Sequence, residues 1–318
     1  MSETVYHIPA MLPECLEALN LRPDGVYVDA TLGGGGHTRA ILAALGDKGR
    51  LLSFDRDIDA ADNAPVDDPR FTFVHGNFRY LTNFLRYYGV EKVDGILADL
   101  GVSFHHFDAA ERGFSFRTDA PLDMRMNQKA PLTAERLIAE STSEGLSDIL
   151  RLYGDIKRPA PIVKAIENAK AKGPIATTGQ LVEAVMPAIS PKQQKKELAQ
   201  IFQALRIVVN DEMGALRQFL LSTAKVLRPG GRLAVLTYHS LEDRLVKNFI
   251  RTGNLEGKVE KDFFGRNLSP WRDISRGAIS PSPEEVEKNP RARSAKLRVA
   301  EYIGSDSSEN NPSQQYGG

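Results

Sequence analysis

Short apolar runs alternate with helical stripes over the first hundred residues. Residues 26–30 form one run, and Gly33, Gly34, Gly35 and Gly36 follow at once. A helical stripe opens near Thr38, with Ile41, Leu42 and Leu45 on one face, and stops at Gly46. Further apolar runs cover 50–54, ending at Asp55, then 71–75 and 94–100. This alternation predicts a parallel sheet with crossover helices. It breaks after the fourth run. From 133 to about 205 only helical periodicity remains: Leu146, Ile149, Leu150 and Tyr153 with a stop at Gly154, then Ile162, Val163, Ile166 and Ala169. Thr177 and Gln180 fit a capping box, Pro187 closes that helix, and Leu198, Ile201, Phe202 and Leu205 make another stripe. The sheet pattern then resumes. A helix face (Leu216, Phe219, Leu220, Thr223) leads to a turn at 228–231, a strand over 232–238, a helix capped by Ser240, and a last strand over 297–303.

Composition agrees with a folded α/β chain. Of 318 residues, 42% are hydrophobic and 26% charged, which supports a sizeable core. Lysine plus arginine and aspartate plus glutamate both number 41, so any basic surface must be local. The single cysteine, Cys15, supports neither a disulfide framework nor a cysteine-based zinc site. No run approaches ~20 apolar residues and no signal peptide is evident, so a soluble cytoplasmic protein without membrane contact is expected.

The glycine run lies between a strand and a helix, where backbone without Cβ atoms can approach a ligand and the helix N-terminus favours negative charge. The bland alternative is a tight turn. Asp55 ends the next strand about 20 residues after Gly35, where doubly wound folds place the acid that binds a ribose diol. Thr38 occupies the third glycine slot of the dinucleotide fingerprint, which disfavours a nicotinamide dehydrogenase. Asp29 ahead of Gly33 and Gly35 is closer to the methyltransferase form of the loop. Asp99 ends the fourth strand, so the loop, Asp55 and Asp99 are expected to share one cleft.

Eight ordered motifs make the pattern specific. They are Gly35-Gly36-His37-Thr38, Phe54-Asp55-Arg56-Asp57, His75-Gly76-Asn77-Phe78, the run 94–103, the run 111–116, Pro121-Leu122-Asp123-Met124-Arg125-Met126, the run 237–244, and Asn289-Pro290-Arg291-Ala292-Arg293-Ser294. Together they resemble the MraW-type ribosomal RNA cytidine-N4 methyltransferases, from about His7 to about Ile303. The resemblance implies a Rossmann-like S-adenosylmethionine methyltransferase core with an all-helical inserted domain. The core would span 1–106 and 210–303, the helical insert, expected to recognise RNA, 107–209, and a disordered tail 304–318. It implies cofactor contacts from Gly35, Gly36, His37, Asp55, Phe78 and Asp99, and substrate contacts from Ser103, Arg291 and Arg293. The expected substrate is small-subunit (16S) ribosomal RNA; a homodimer stays open. One departure stands out. Where the family usually reads Ser-Pro-Gln after Val102-Ser103, this chain reads Phe104-His105-His106, so His106 takes the slot of a glutamine near the cofactor.

Methyl transfer from a sulfonium needs alignment of donor and acceptor and exclusion of water. The N4 lone pair of cytosine is delocalised, so a hydrogen-bond acceptor for its protons is required. Asp99 and the backbone carbonyls of 99–103 are both candidates. Methylation at C5 would need a thiolate, and Cys15 is placed far from the sheet motifs on an apparent helix. Tyr238-His239-Ser240 invites a hydrolase reading, but neighbours at a strand end seldom face each other. His105, His106 and Asp108 make a poor metal chelate, and no metal is expected. Lys192, Lys195 and Lys196, and the run Arg291, Arg293, Lys296, Arg298, suit phosphate contact or a solvated face alike. Phe114 and Phe116, beside Arg112 and Arg117, suit either base stacking or core packing.

Overall fold

A computed structural model describes residues 9–101 and 110–304. Val102, Ser103, the run 104–109 with His106, and the tail 305–318 therefore lie outside the described residues. Among the described residues, one sheet holds β1 (Val26–Asp29), β2 (Arg50–Asp55), β3 (Phe71–His75), β4 (Val93–Asp99), β5 (Leu227–Thr237), β6 (Trp271–Asp273) and β7 (Lys296–Tyr302). Their spatial order is β3-β2-β1-β4-β5-β7-β6. Strands β1 to β5 are mutually parallel, and β7 runs antiparallel between β5 and β6. This is a Rossmann-like, doubly wound sheet whose order reverses between β1 and β4.

Alternation along the strands feeds two cores. Val28, Leu52, Phe54, Ile96, Leu233 and Val235 face α3 (Leu81–Tyr87), α9 (Glu212–Val226) and α10 (Ser240–Thr252). Tyr27, Leu51, Leu97, Ala234 and Leu236 face α1 (Leu12–Leu19) and α2 (Gly36–Ala44). A third core lies among α4 (Ala134–Glu140), α5 (Ser143–Gly154), α6 (Ala160–Lys170), α7 (Thr178–Val185) and α8 (Gln194–Val209). One more helix, α11 (Pro283–Lys288), precedes β7.

The helical segment leaves the sheet after β4 and returns ahead of α9. Three arginines fasten it to the loops after β2 and β3. Arg112 Nη1 lies 3.1 Å from the carboxylates of both Asp57 and Asp59, while its Nη2 donates to the carbonyls of Arg125 (2.8 Å) and Met126 (3.0 Å). Arg56 donates to the Asn210 carbonyl (2.9 Å), and Arg79 to the Asp211 carboxylate (2.7 Å).

Several boundaries differ from the sequence expectation for local reasons. The turn at 228–231 is looped out inside β5, because pairing with β4 jumps from Val93–Leu227 to Gly95–Arg232. Helix α5 includes Gly154 and ends on Asp155, which adopts φ 52°; a short polar side chain tolerates that conformation. Helix α10 is capped by His239 rather than Ser240, which is its first residue. The Thr177–Gln180 capping box of α7 is present as read.

Candidate active site

The parallel strands end on one edge, and Asp29, Asp55, Asp99 and Tyr238 lie at or just beyond those ends. Reversal of strand order between β1 and β4 opens a crevice there. The glycine loop borders it. Gly33 and Gly35 take φ 50° and 73°. Among the described residues, a Cβ on Gly33 would meet nothing within 4 Å, so the loop faces open space at that point. A Cβ on Gly36 would strike the Pro9 ring at 2.8 Å, and one on Gly35 the Arg39 guanidinium and the Asn63 carbonyl, both at 2.7 Å. The run of glycines thus serves packing as well as access.

Asp55 holds the loop. Its Oδ2 accepts the Gly33 N–H and its Oδ1 the Asp57 N–H, each at 2.9 Å. Asp29 is fully buried beneath. It accepts from the Thr38 hydroxyl (2.7 Å) and the Thr31 N–H (3.1 Å). Thr38 Oγ1 is also 2.7 Å from Ser53 Oγ; since Thr38 gives its proton to the carboxylate, Ser53 donates to Thr38. A glycine in that slot would break this chain. Burial pushes Asp29 up to about 6, against the opposing influence of His37 and the Thr38 hydrogen bond.

Asp99 and His37 meet across the crevice. Asp99 Oδ1 accepts the Gly101 N–H (2.9 Å), and its carboxylate is hydrogen-bonded by Tyr238. Burial and the Asp99 charge push the Tyr238 phenol far up, so it stays protonated as a donor. His37 Nε2 lies 3.1 Å from the Ala10 carbonyl, which only accepts. In the neutral imidazole Nε2 therefore carries the proton and Nδ1 is an acceptor, 3.9 Å from Asp99 Oδ2. Two acceptors face each other, a setting suited to a donor or cation.

Phe78 follows β3 at the same edge, half-buried and edge-on to Phe219 at 5.1 Å. Arg291 and Arg293 are exposed on a short turn just before β7. Because β7 is antiparallel, with Lys296 opposite Thr237, that turn also sits at the ligand edge. Ser103 and His106, with His105 and Asp108, lie outside the described residues.

Two sequence expectations, on Cys15 and Arg298, need correction, and the alternatives left open at Phe114 and Phe116 are decided. Cys15 is not far from the sheet motifs: it packs under Leu97 and Leu236, close enough for the Asp99 charge to act on it. Burial above all pushes its thiol well up, which disfavours the thiolate. Phe114 and Phe116 pack in the helical core, Phe116 edge-on to Phe202 at 5.6 Å, and so are not base-stacking surfaces. Arg298 leaves the phosphate-binding run, since it is buried and bidentate to Asp243 (2.8 and 3.0 Å). His239 does not form a hydrolytic pair with Ser240; it caps α10, with Nε2 2.9 Å from Glu242 Oε1. Glu212, His239 and Glu242 are the group of potential metal ligands found among the described residues. Glu212 is already bidentate to Arg206 (2.9 and 3.0 Å). Burial would raise it, but Arg206 and Arg56 hold it low. That local positive charge opposes a further cation.

The chain matches the MraW methylase family over residues 4–303. It is 57% identical over 302 residues to the ribosomal RNA small subunit methyltransferase H of Parabacteroides distasonis, covering 95% of this chain and 99% of the relative. It is 54% identical over 299 residues to the protein of the same name from Bacteroides fragilis, covering 94% and 98%. Among solved structures, an rRNA methylase from Streptococcus thermophilus overlaps with a TM-score of 0.39 at 12% identity, covering 92% of each chain. At that overlap nothing about the site is carried over from it.

Proposed function

Because this chain belongs to the MraW methylase family, we propose that it methylates small-subunit ribosomal RNA with S-adenosylmethionine, at N4 of a cytidine, in the cytoplasm. The observation that carries the reading is the convergence of the glycine loop, Asp29, Asp55 and Asp99 on one crevice. The residues also fit the cofactor chemically. Gly33 borders open space that backbone can share with a ligand, and the facing acceptors of His37 and Asp99 suit an ammonium group. Three carboxylates at the strand ends suit a cationic ligand.

When bound, S-adenosylmethionine supplies a methyl group on a positively charged sulfur. Asp55 would accept from the ribose hydroxyls, and Gly35, Gly36 and His37 would hold the amino-acid end together with Asp99. Phe78 lines the base. Asp99 is already engaged by Gly101 and Tyr238 and turned toward His37. We therefore assign it to the cofactor and assign the N4 protons to backbone carbonyls of the segment after β4. The family resemblance assigns Ser103 to the substrate and His106 to the cofactor; both lie outside the described residues. N4 is favoured over C5 because Cys15 is a buried, neutral thiol. Arg291 and Arg293 contact RNA phosphate at the edge, and the insert, 107–209, selects the site.

The test is nucleoside mass spectrometry of small-subunit ribosomal RNA from cells with and without this protein, with purified protein and labelled cofactor as the reconstitution. N4-methylated cytidine should vanish on deletion and return on reconstitution. An unchanged nucleoside profile rules the reading out.

A further inference from the structure

Helix α10 begins at the ligand edge, directly after Tyr238 and His239, and runs thirteen residues, about 20 Å, away from it. It carries five charged side chains beyond its capping residue, and they are sorted by sign. Glu242 is buried at the cap, and Asp243 is paired with Arg298 and lies 3.8 Å from Lys296. Arg244, Lys247 and Arg251 stand exposed at i, i+3 and i+7, a single stripe. Neither Arg244 nor Lys247 has an ion-pair partner among the described residues. In a chain of zero net charge, this face is purely basic.

The far end of the stripe meets a hairpin. Asn267 donates to the Arg251 carbonyl (2.7 Å), and Lys261 bridges Asn267. The tip is held by Asp262, whose Oδ1 accepts the Phe264 and Arg266 N–H groups, each at 2.8 Å. This fixed turn presents Phe263, 98% exposed, and Phe264, 76% exposed. The two rings meet edge-on at 5.6 Å, and Arg266 lies over Phe264 at 5.3 Å. Two adjacent phenylalanines held in solvent by a hydrogen-bonded turn mark a recognition surface. Aromatic faces beside guanidinium groups stack unpaired bases, and a basic stripe follows phosphates.

We propose that α10 and this hairpin form an RNA track. The phosphates of a single strand leaving the active site lie along Arg244, Lys247 and Arg251, and an unpaired base stacks on Phe263 and Phe264. The inference rests on the RNA substrate proposed above and adds a surface separate from both the insert and Arg291–Arg293.

The experiment measures binding of a short fluorescein-labelled single-stranded oligoribonucleotide across a salt series, together with methylation of small-subunit ribosomal RNA. It compares wild type, F263A/F264A and R244A/K247A/R251A. These side chains are exposed, so thermal midpoint and cofactor affinity should be unchanged. The aromatic variant should bind about fivefold more weakly or worse at an unchanged salt slope. The basic variant should lose about 2 from the slope of log affinity against log salt. Wild-type affinity and slope in both variants would overturn the track. So would normal oligonucleotide binding with methylation lost only on assembled subunits, which would mark the hairpin as a protein-docking element. If wild type methylates the RNA but both variants match it, the track alone fails. If wild type neither binds nor methylates RNA, the functional reading fails and the track with it.

Discussion

Asp55 is tied to two backbone N–H groups and sits where a ribose diol is expected. Removing its carboxylate should cost roughly 1.5–3 kcal/mol of cofactor binding, the scale of hydrogen bonds to a charged group. Isothermal titration of D55A with S-adenosylmethionine should therefore show about 10- to 150-fold weaker affinity, and parent-like affinity would remove Asp55 from the site. Asp29 makes a prediction about pH. Its folded value, about 6, lies above that of an unfolded carboxylate. Between about pH 4 and 6 the folded state therefore holds a proton that the unfolded state has released. This term favours folding below that window and is lost as pH rises through it, by roughly 3 kcal/mol in total. Asn lacks the titration, so the stability difference between D29N and its parent should move toward the variant by about that amount from pH 4 to pH 8. Denaturant midpoints at several pH values measure it, and a flat difference would contradict the burial argument. Cys15 is inert by the same reasoning. C15A should retain methylation and lose about 1 kcal/mol of stability, whereas an inactive but folded C15A would restore covalent C5 chemistry.

At the scale of elements, Arg112 is the buried one of the three arginines that fasten the helical insert to the loops after β2 and β3. It is buried against Asp57 and also touches Asp59 and two carbonyls of the 121–126 segment. R112M removes the buried guanidinium that Asp57 and Asp59 share, with its two carbonyl hydrogen bonds, and should cost about 3–5 kcal/mol. Chemical denaturation of the variant reads this directly; a loss below 1 kcal/mol would mean that Arg56 and Arg79 suffice. Arg112 also illustrates what a sequence conceals. Strand runs, helix stripes and the Thr177 cap were legible because each is a pattern among neighbours along the chain. Residue pairs such as Arg112–Asp57 and Tyr238–Asp99 are distant in sequence, and no local periodicity connects them. Phe114 and Phe116 stayed open between stacking and core packing because exposure depends on the third core, which the surrounding residues do not reveal. Short elements such as α11 and β6 carry too few periods to register. The glycine loop, Asp55 and Asp99 were legible because strand ends in a parallel sheet must share an edge.

Across the whole molecule, zero net charge hides a division of surfaces. Lys192, Lys195 and Lys196 are exposed around the start of α8, and Arg291 and Arg293 at the ligand edge. Alanine replacement of the three lysines, and separately of the two arginines, should leave cofactor affinity intact. RNA methylation should fall in at least one variant, with a salt slope lower by about 2 for the lysine set if all three meet phosphate. Normal methylation and slope in both would displace the RNA surface from these regions. The fastening of the insert has one more consequence. The loop after β2 is held at one end by Asp55, which grips the glycine loop, and at the other by Asp57 and Asp59, which grip Arg112. If the insert recognises RNA as proposed, donor and acceptor sites share a single mechanical part. Whatever factor the donor adds to RNA affinity, the RNA must return to donor affinity, since linkage is reciprocal. On the proposed reading the two substrates are then not independent tenants of the crevice, and the segment from Asp55 to Asp59 is where their coupling is carried.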